Sequence, residues 1–191
     1  DVVSVSWLGE GSYEDEIMLS ILDNANKYGL LVNIHLEPFY TTIDEVYKSL
    51  EFMNTKYGAH PAIYKQNNKP LFYIYDAYKI ETEQWQRLLL KDGDLSIRNT
   101  SLDGEFIGLL LDISDTTFID EGGFDGAYSY FVSEGFTDAS TINNWSILND
   151  WADRNDKLFI PSVGPGYSDT RIRPWNIHNQ KDRLNGRYYD K

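Results

Sequence analysis

Short apolar runs recur along the chain, and helical stripes stand between most of them. Val2 to Trp7 alternates and is rich in β-branched residues, which predicts a strand. Over 12–28 the apolar positions Ile17, Ile21, Leu22 and Ala25 fall at helical spacing. Ser12 suits the N-cap there, Glu14, Asp15 and Glu16 suit the first turn, and Gly29 ends the helix. Leu31 to Leu36 predicts a second strand that runs into Glu37 and Pro38. Thr41 or Thr42 caps the next helix, with Glu45 placed as a capping-box partner of Thr42 and Gly58 as the stop. Further strands are predicted over 70–75, 106–111, 124–131 and 158–163, and helices over 82–91 and 141–153, the last capped by Thr141.

Strands and helices therefore alternate, and the strands are apolar on both faces. This predicts an α/β fold with a parallel sheet covered by helices. A doubly wound sheet and a (β/α)8 TIM barrel both fit. No Gly-x-Gly-x-x-Gly follows the first strand, so the dinucleotide-binding form lacks its fingerprint. Polar and aromatic residues recur at strand ends: Trp7, then His35 and Glu37, Asp76, Tyr128 and Tyr130, and the loop beyond the run at 158–163. That distribution favours a barrel, whose site is assembled from many strand ends. A full barrel takes about 250 residues, so six strands make an incomplete one, a single domain over 1–191. Both ends of the chain read as the interior of a longer protein.

The net charge of −13 argues against binding to a nucleic-acid backbone or an anionic membrane. The absence of cysteine excludes disulfides and thiolate metal sites. His35, His60 and His178 have no metal-ligand spacing, so no metal is expected. Aromatics reach 15%, a surplus that suits both a core and a cleft that stacks on sugar rings.

Glu37 is the leading candidate for chemistry. A carboxylate at the end of a buried strand is partly desolvated, and it can accept hydrogen bonds from sugar hydroxyls. His35 lies two residues earlier and should project to the same side. It is either a ligand contact or a hydrogen-bonded core residue. Asp76 either bonds a hydroxyl, orients an arginine, or caps the next segment. The loop after the last predicted strand carries Tyr167, Arg173 and Asn176. Glycoside hydrolysis ordinarily takes two carboxylates flanking the scissile bond, and no second one pairs convincingly with Glu37. Asn99-Thr100-Ser101 and Asn144-Trp145-Ser146 fit the short N-glycosylation pattern.

Four stretches carry a family resemblance: 70–79 (PLFYIYDAYK), 96–101 (SIRNTS), 123–132 (GFDGAYSYFV) and 159–176 (FIPSVGPGYSDTRIRPWN), with NGRYYD following at 185–190. Together they resemble glycoside hydrolase family 99, the endo-α-1,2-mannosidases, from end to end of the chain and the animal members most. The resemblance implies a (β/α)8 barrel missing its first and last strands here. It implies a retaining hydrolase that cuts an internal α-1,2-mannosidic bond of glucosylated high-mannose N-glycans, without a cofactor. The substrate's own 2-hydroxyl would be the nucleophile, acting through a 1,2-anhydro sugar. The family's essential glutamate pair sits in a Glu-Trp-His-Glu motif on the last barrel strand, and that motif is absent from these residues. The chain alone is therefore expected to be inactive. The remaining alternative is a non-catalytic carbohydrate-binding barrel. By resemblance, Glu37 lies near the reacting sugar and Trp7 packs on it. Tyr128 or Tyr130 faces the substrate, and Tyr167, Arg173 and Asn176 border the subsites. The parent is expected in the Golgi lumen, with any membrane anchor outside this segment, or secreted or periplasmic if bacterial.

Overall fold

The structure, a computed structural model, describes residues 1–130, 134–164, 166–168 and 180–186. Six parallel strands follow one another in chain order: β1 (Val2–Trp7), β2 (Leu31–Leu36), β4 (Lys69–Ile74), β5 (Glu105–Leu109), β6 (Gly126–Tyr128) and β7 (Leu158–Ile160). Between them lie α1 (Tyr13–Lys27), α2 (Ile43–Tyr57), α3 (Thr82–Leu89), α4 (Thr116–Glu121) and α5 (Trp145–Arg154). A short strand, β3 (Lys65–Gln66), pairs antiparallel with the start of β4. Its tight turn is made by Asn67 and Asn68, both at positive φ, as a two-residue hairpin requires. Beyond the sheet, β8 (Tyr167–Ser168) and β9 (Gln180–Lys181) form a two-stranded ribbon.

Strand order and helix placement decide between the two architectures left open by the sequence. A doubly wound sheet reverses its strand order and carries helices on both faces. Here each parallel strand pairs with its successor. One apolar cluster joins the helices to the sheet through Met18 and Leu22, Val46 and Leu50, Trp85 and Leu88, Ile119, and Leu148. The other cluster, around Leu71, Ile107, Leu109 and Tyr128, contains no helical residue. One face is thus covered by helices and the other is the interior of a barrel wall. Among the described residues, β1 and β7 end the row without meeting, so the wall is an open arc. Val2 and Val3 on the β1 edge are 42% and 43% exposed.

Local signals explain the first half of the arc. The Ser12 side chain accepts the Asp15 N–H and starts α1. Thr42 and Glu45 form the complete capping box at α2. The second half departs from the sequence reading. Helix α4 has no counterpart in the sequence pattern; six residues with few apolar positions leave no readable stripe. Thr141 does not cap α5: its hydroxyl donates to the Thr137 carbonyl (2.8 Å), and a 3-10 turn over Ile142–Asn144 leads into the helix. The last parallel strand, β7, ends at Ile160, before Pro161, which has no N–H to donate to a ladder.

One interaction locks the N-terminal ends of the strands. Arg98, in the loop between α3 and β5, has a side chain only 9% exposed. Its guanidinium donates to the carbonyls of Leu89 (2.8 Å), Gly104 (2.9 Å) and Gly123 (2.8 Å). It also donates to Asp103 (3.2 Å) and to both oxygens of Asp125 (3.0 and 3.1 Å). The stretch 96–101, one of those carrying the family resemblance, is thereby accounted for by a structural staple far from the strand ends that bear the site.

Candidate functional site

Side chains alternate across a strand, so parity decides which residues enter the barrel interior. On β2, Val32, Ile34 and Leu36 pack under the helices, while Asn33, His35 and then Glu37 face inward. Ser6 lies opposite His35 on β1, and Tyr73 lies opposite His35 on β4. Tyr128, the last residue of β6, reaches the same place from across the arc.

These residues form one hydrogen-bonded group. His35 Nδ1 lies 2.9 Å from Glu37 Oε1, and its Nε2 lies 2.7 Å from the Tyr128 hydroxyl. The Ser6 hydroxyl donates to the same Glu37 oxygen at 2.7 Å. Burial pushes the Tyr128 pKa far up, and the Glu37 charge adds to it. The phenol therefore keeps its proton; the Glu37 carboxylate can only accept, so Nδ1 donates to it, and with the ring hydrogen there Nε2 accepts from Tyr128. Glu37 Oε1 receives two bonds, whereas Oε2 has no partner among the described residues. The Glu37 side chain is 23% exposed, so that oxygen is within reach of a ligand hydroxyl.

Aromatic rings wall in this group. His35 stands 5.6 Å from the Tyr75 ring and 5.8 Å from that of Tyr130, centroid to centroid. Tyr73 packs on Tyr128, and Tyr75 on Tyr130, each at 4.9 Å with steeply inclined planes. On the opposite side, β1 and β2 contribute Ser4, Ser6 and Asn33, with Ser4 donating to Asn33 at 2.6 Å. The interior thus has a hydroxyl and amide wall on one side and a tyrosine wall on the other. Tyr40 supports the rim: its hydroxyl donates to the Tyr75 carbonyl at 2.9 Å, and burial raises its pKa, helped by Asp76 and Glu37.

Residues 1–191 match the family model for glycosyl hydrolase family 99. The chain belongs to glycosyl hydrolase family 99. It is 44% identical over 201 residues to the glycoprotein endo-α-1,2-mannosidase of Xenopus laevis, covering 99% of this chain and 45% of that protein. It is 42% identical to the human glycoprotein endo-α-1,2-mannosidase-like protein, covering 44% of it. The solved GH99 endo-α-mannosidase of Bacteroides thetaiotaomicron superposes with a TM-score of 0.92 at 47% identity, over 99% of this chain and 59% of that one. The resemblance to the animal proteins is therefore matched by the bacterial one. This family 99 chain spans less than half the length of these curated relatives.

Of the residues singled out in the sequence, His35, Glu37, Tyr128 and Tyr130 meet in one cluster. Of the two readings of His35, the structure shows the buried, hydrogen-bonded one, with the ring on the inward face of β2. Trp7 does not join them. It pairs in register with Leu36, shares that residue's outward parity, and has no exposed surface. Its ring stacks on Phe52 and meets Phe39 edge-on, so packing on a sugar is physically barred to it in this chain. Asp76 sits at the rim in the left-handed region (φ 52°), with both oxygens engaged, one by the Tyr78 hydroxyl (2.8 Å) and one by Lys79 (2.7 Å). Among the described residues it orients no arginine, and its side chain does not cap the 3-10 turn that follows. Burial, then Asp76, lift the Tyr78 pKa to about 12. Arg173 and Asn176 lie outside the described residues, as does the side chain of Tyr167. Ser6 and Tyr75 line the site as well, and for Ser6 the sequence signal is the alternation of Ser4 and Ser6 with Val5 and Trp7.

Proposed function

We propose that this chain is the central wall of the catalytic barrel of a retaining endo-α-1,2-mannosidase. The parent would cut an internal α-1,2-mannosidic bond of a glucosylated high-mannose glycan. The observation that carries this reading is the accessible Glu37 carboxylate, held by His35 and Ser6 inside a tyrosine-walled cleft of a family 99 barrel. The names of the relatives supply the substrate class.

In this reading Glu37 is the residue of the chain that acts at the reacting sugar. Its Oε2 accepts a hydrogen bond from a sugar hydroxyl, while His35, fixed by Tyr128, keeps the carboxylate aimed. Tyr75 and Tyr130 present ring faces to C–H surfaces, the pairing by which proteins grip pyranose rings. Tyr167, Arg173 and Asn176 border the neighbouring subsites. Proton transfer to the leaving oxygen belongs to the glutamate pair of the last barrel strand. An animal parent would work in the Golgi lumen, and a bacterial one in the periplasm or outside the cell.

The test is product analysis with the intact parent protein and a glucosylated high-mannose N-glycan. Release of a disaccharide or longer glucosylated mannose unit, first as the α-anomer, is expected. Glu37→Gln should lower kcat/KM about 10- to 150-fold, the loss of one hydrogen bond to a charged group, about 1.5–3 kcal/mol. A folded parent that binds the glycan and never cuts it would favour the non-catalytic carbohydrate-binding barrel instead.

A further inference from the structure

We propose that Asp15, on the helix side of the sheet and outside the cleft, is a positioning residue that holds the loop after β1 and, through Trp7, the Glu37 turn. This inference rests on the glycosidase reading above.

Asp15 lies in the first turn of α1 and is 4% exposed. A carboxylate at this place commonly reaches back to the N-cap amide. Here the Ser12 amide bonds instead to the Gly9 carbonyl, and Asp15 Oδ2 accepts the Gly11 N–H at 2.9 Å. Asp15 Oδ1 accepts the Trp7 indole N–H at 3.4 Å and a short bond from the Tyr57 hydroxyl. Lys56 stands 2.9 Å from both oxygens. One buried carboxylate therefore ties the loop following β1 to the last turn of α2. Burial pushes its pKa up, but Tyr57, the Gly11 amide, Lys56 and Trp7 outweigh that and hold it at about 2.

The link from Trp7 to the cleft has two strands. The Trp7 carbonyl accepts the Glu37 N–H at 3.1 Å. The Trp7 ring meets Phe39 edge-on at 5.3 Å, and the Phe39 N–H in turn bonds to the Glu37 carbonyl at 2.8 Å. Phe39 also closes over Gly9, where an added Cβ would lie 3.1 Å from its ring. The Glu37–Phe39 turn and the Gly9–Ser12 loop thus lean on one tryptophan, and the tryptophan leans on Asp15.

Asp15 has two sets of partners, and they separate by mutation. Lys56→Met and Tyr57→Phe remove only the α2 side. Asp15→Ala removes the loop side as well. In the intact parent, all three variants should lower the thermal midpoint. Asp15→Ala alone should reduce kcat at least tenfold at a temperature where each variant is folded, with KM moved less than threefold. Asp15→Asn, which keeps one acceptor for the Gly11 amide, should return part of that loss. Equal kcat in Asp15→Ala and Lys56→Met overturns the proposal. Hydrogen exchange gives a readout that does not depend on the reaction: Asp15→Ala should lose at least tenfold protection at residues 9–12 and 37–39, and Lys56→Met should not. Unchanged protection there, or a uniform loss across the domain, overturns it equally. A wild-type parent that cleaves no mannoside would sink the glycosidase reading, and the exchange pattern would still decide the positioning role.

Discussion

Replacing Arg98 by methionine removes one guanidinium that serves two carboxylates and three carbonyls at the N-terminal ends of the strands. Methionine keeps much of the volume, so the loss is electrostatic rather than a cavity. Removing one partner of a buried ion pair costs about 3–5 kcal/mol, because the charges left behind stay desolvated. Asp103 is 8% exposed and Asp125 24%, so water reaches the second more easily. That places the expected loss near the middle of the range, at about 4 kcal/mol. With a urea m-value of about 3 kcal/mol per M, the midpoint should fall by roughly 1.3 M. Arg98→Lys keeps the charge but not the planar fork, and should fall between the two. The pH dependence gives a second check. Burial raises the Asp103 pKa, but the Asn99 N–H, Lys69 and Arg98 hold it below the ordinary carboxylate value. A depressed folded-state pKa gives stability that is present above the unfolded value and lost as pH falls through the folded one. Without Arg98 that loss should begin at a higher pH. Arg87→Met, which breaks surface contacts with Asp94, Asp44 and Gln84, is the control and should move the midpoint far less. A loss below about 1 kcal/mol for Arg98→Met, or a lysine variant as stable as the wild type, would refute the staple.

Thr42→Ala should cost about 1 kcal/mol through the lost cap and lower Tm by about 2–4 °C, read by scanning calorimetry. Tyr128→Phe strips His35 Nε2 of its donor and should destabilise by about 1–3 kcal/mol in urea unfolding, with a matching loss of mannoside affinity. Asp15, depressed from 3.8 to about 2, contributes stability that is complete above its ordinary pKa and lost as pH falls toward 2. Lys56→Met should therefore flatten urea midpoints measured between pH 6 and pH 3, and an unchanged slope would count against the pairing.

The first two βα units were legible because each level of the sequence agreed: apolar stripes, Ser12 and Thr42 as caps, and glycines as stops. Placing His35 and Glu37 on one side of β2 followed from strand alternation alone. The same alternation, carried one strand back, assigns Trp7 to the helix side with Val5 and gives the cleft to Ser4 and Ser6. The bond between His35 and Tyr128 spans 93 residues, and its formation depends on the register of several strand pairs, which no local pattern encodes. The hairpin at Asn67-Asn68 had a readable turn signal, whereas α4 had too few apolar positions to show a period. For Asp76 the sequence left a ligand hydroxyl, an arginine and a cap open, and its partners Tyr78 and Lys79 capture it through the left-handed turn it adopts.

The two unlike walls of the barrel interior have a geometric consequence. A pyranose is itself two-sided, with hydroxyls around its edge and C–H groups on its faces. On the proposed function, a sugar between Ser6–Asn33–Glu37 and Tyr75–Tyr130 would satisfy both walls only with its edge toward the first and a face toward the second. Turned over or rolled by a quarter, it would press hydroxyls on tyrosine rings and leave Glu37 Oε2 bare. Under the proposed function the cleft would sort orientations before any bond is touched, much as a keyed slot admits a card one way round.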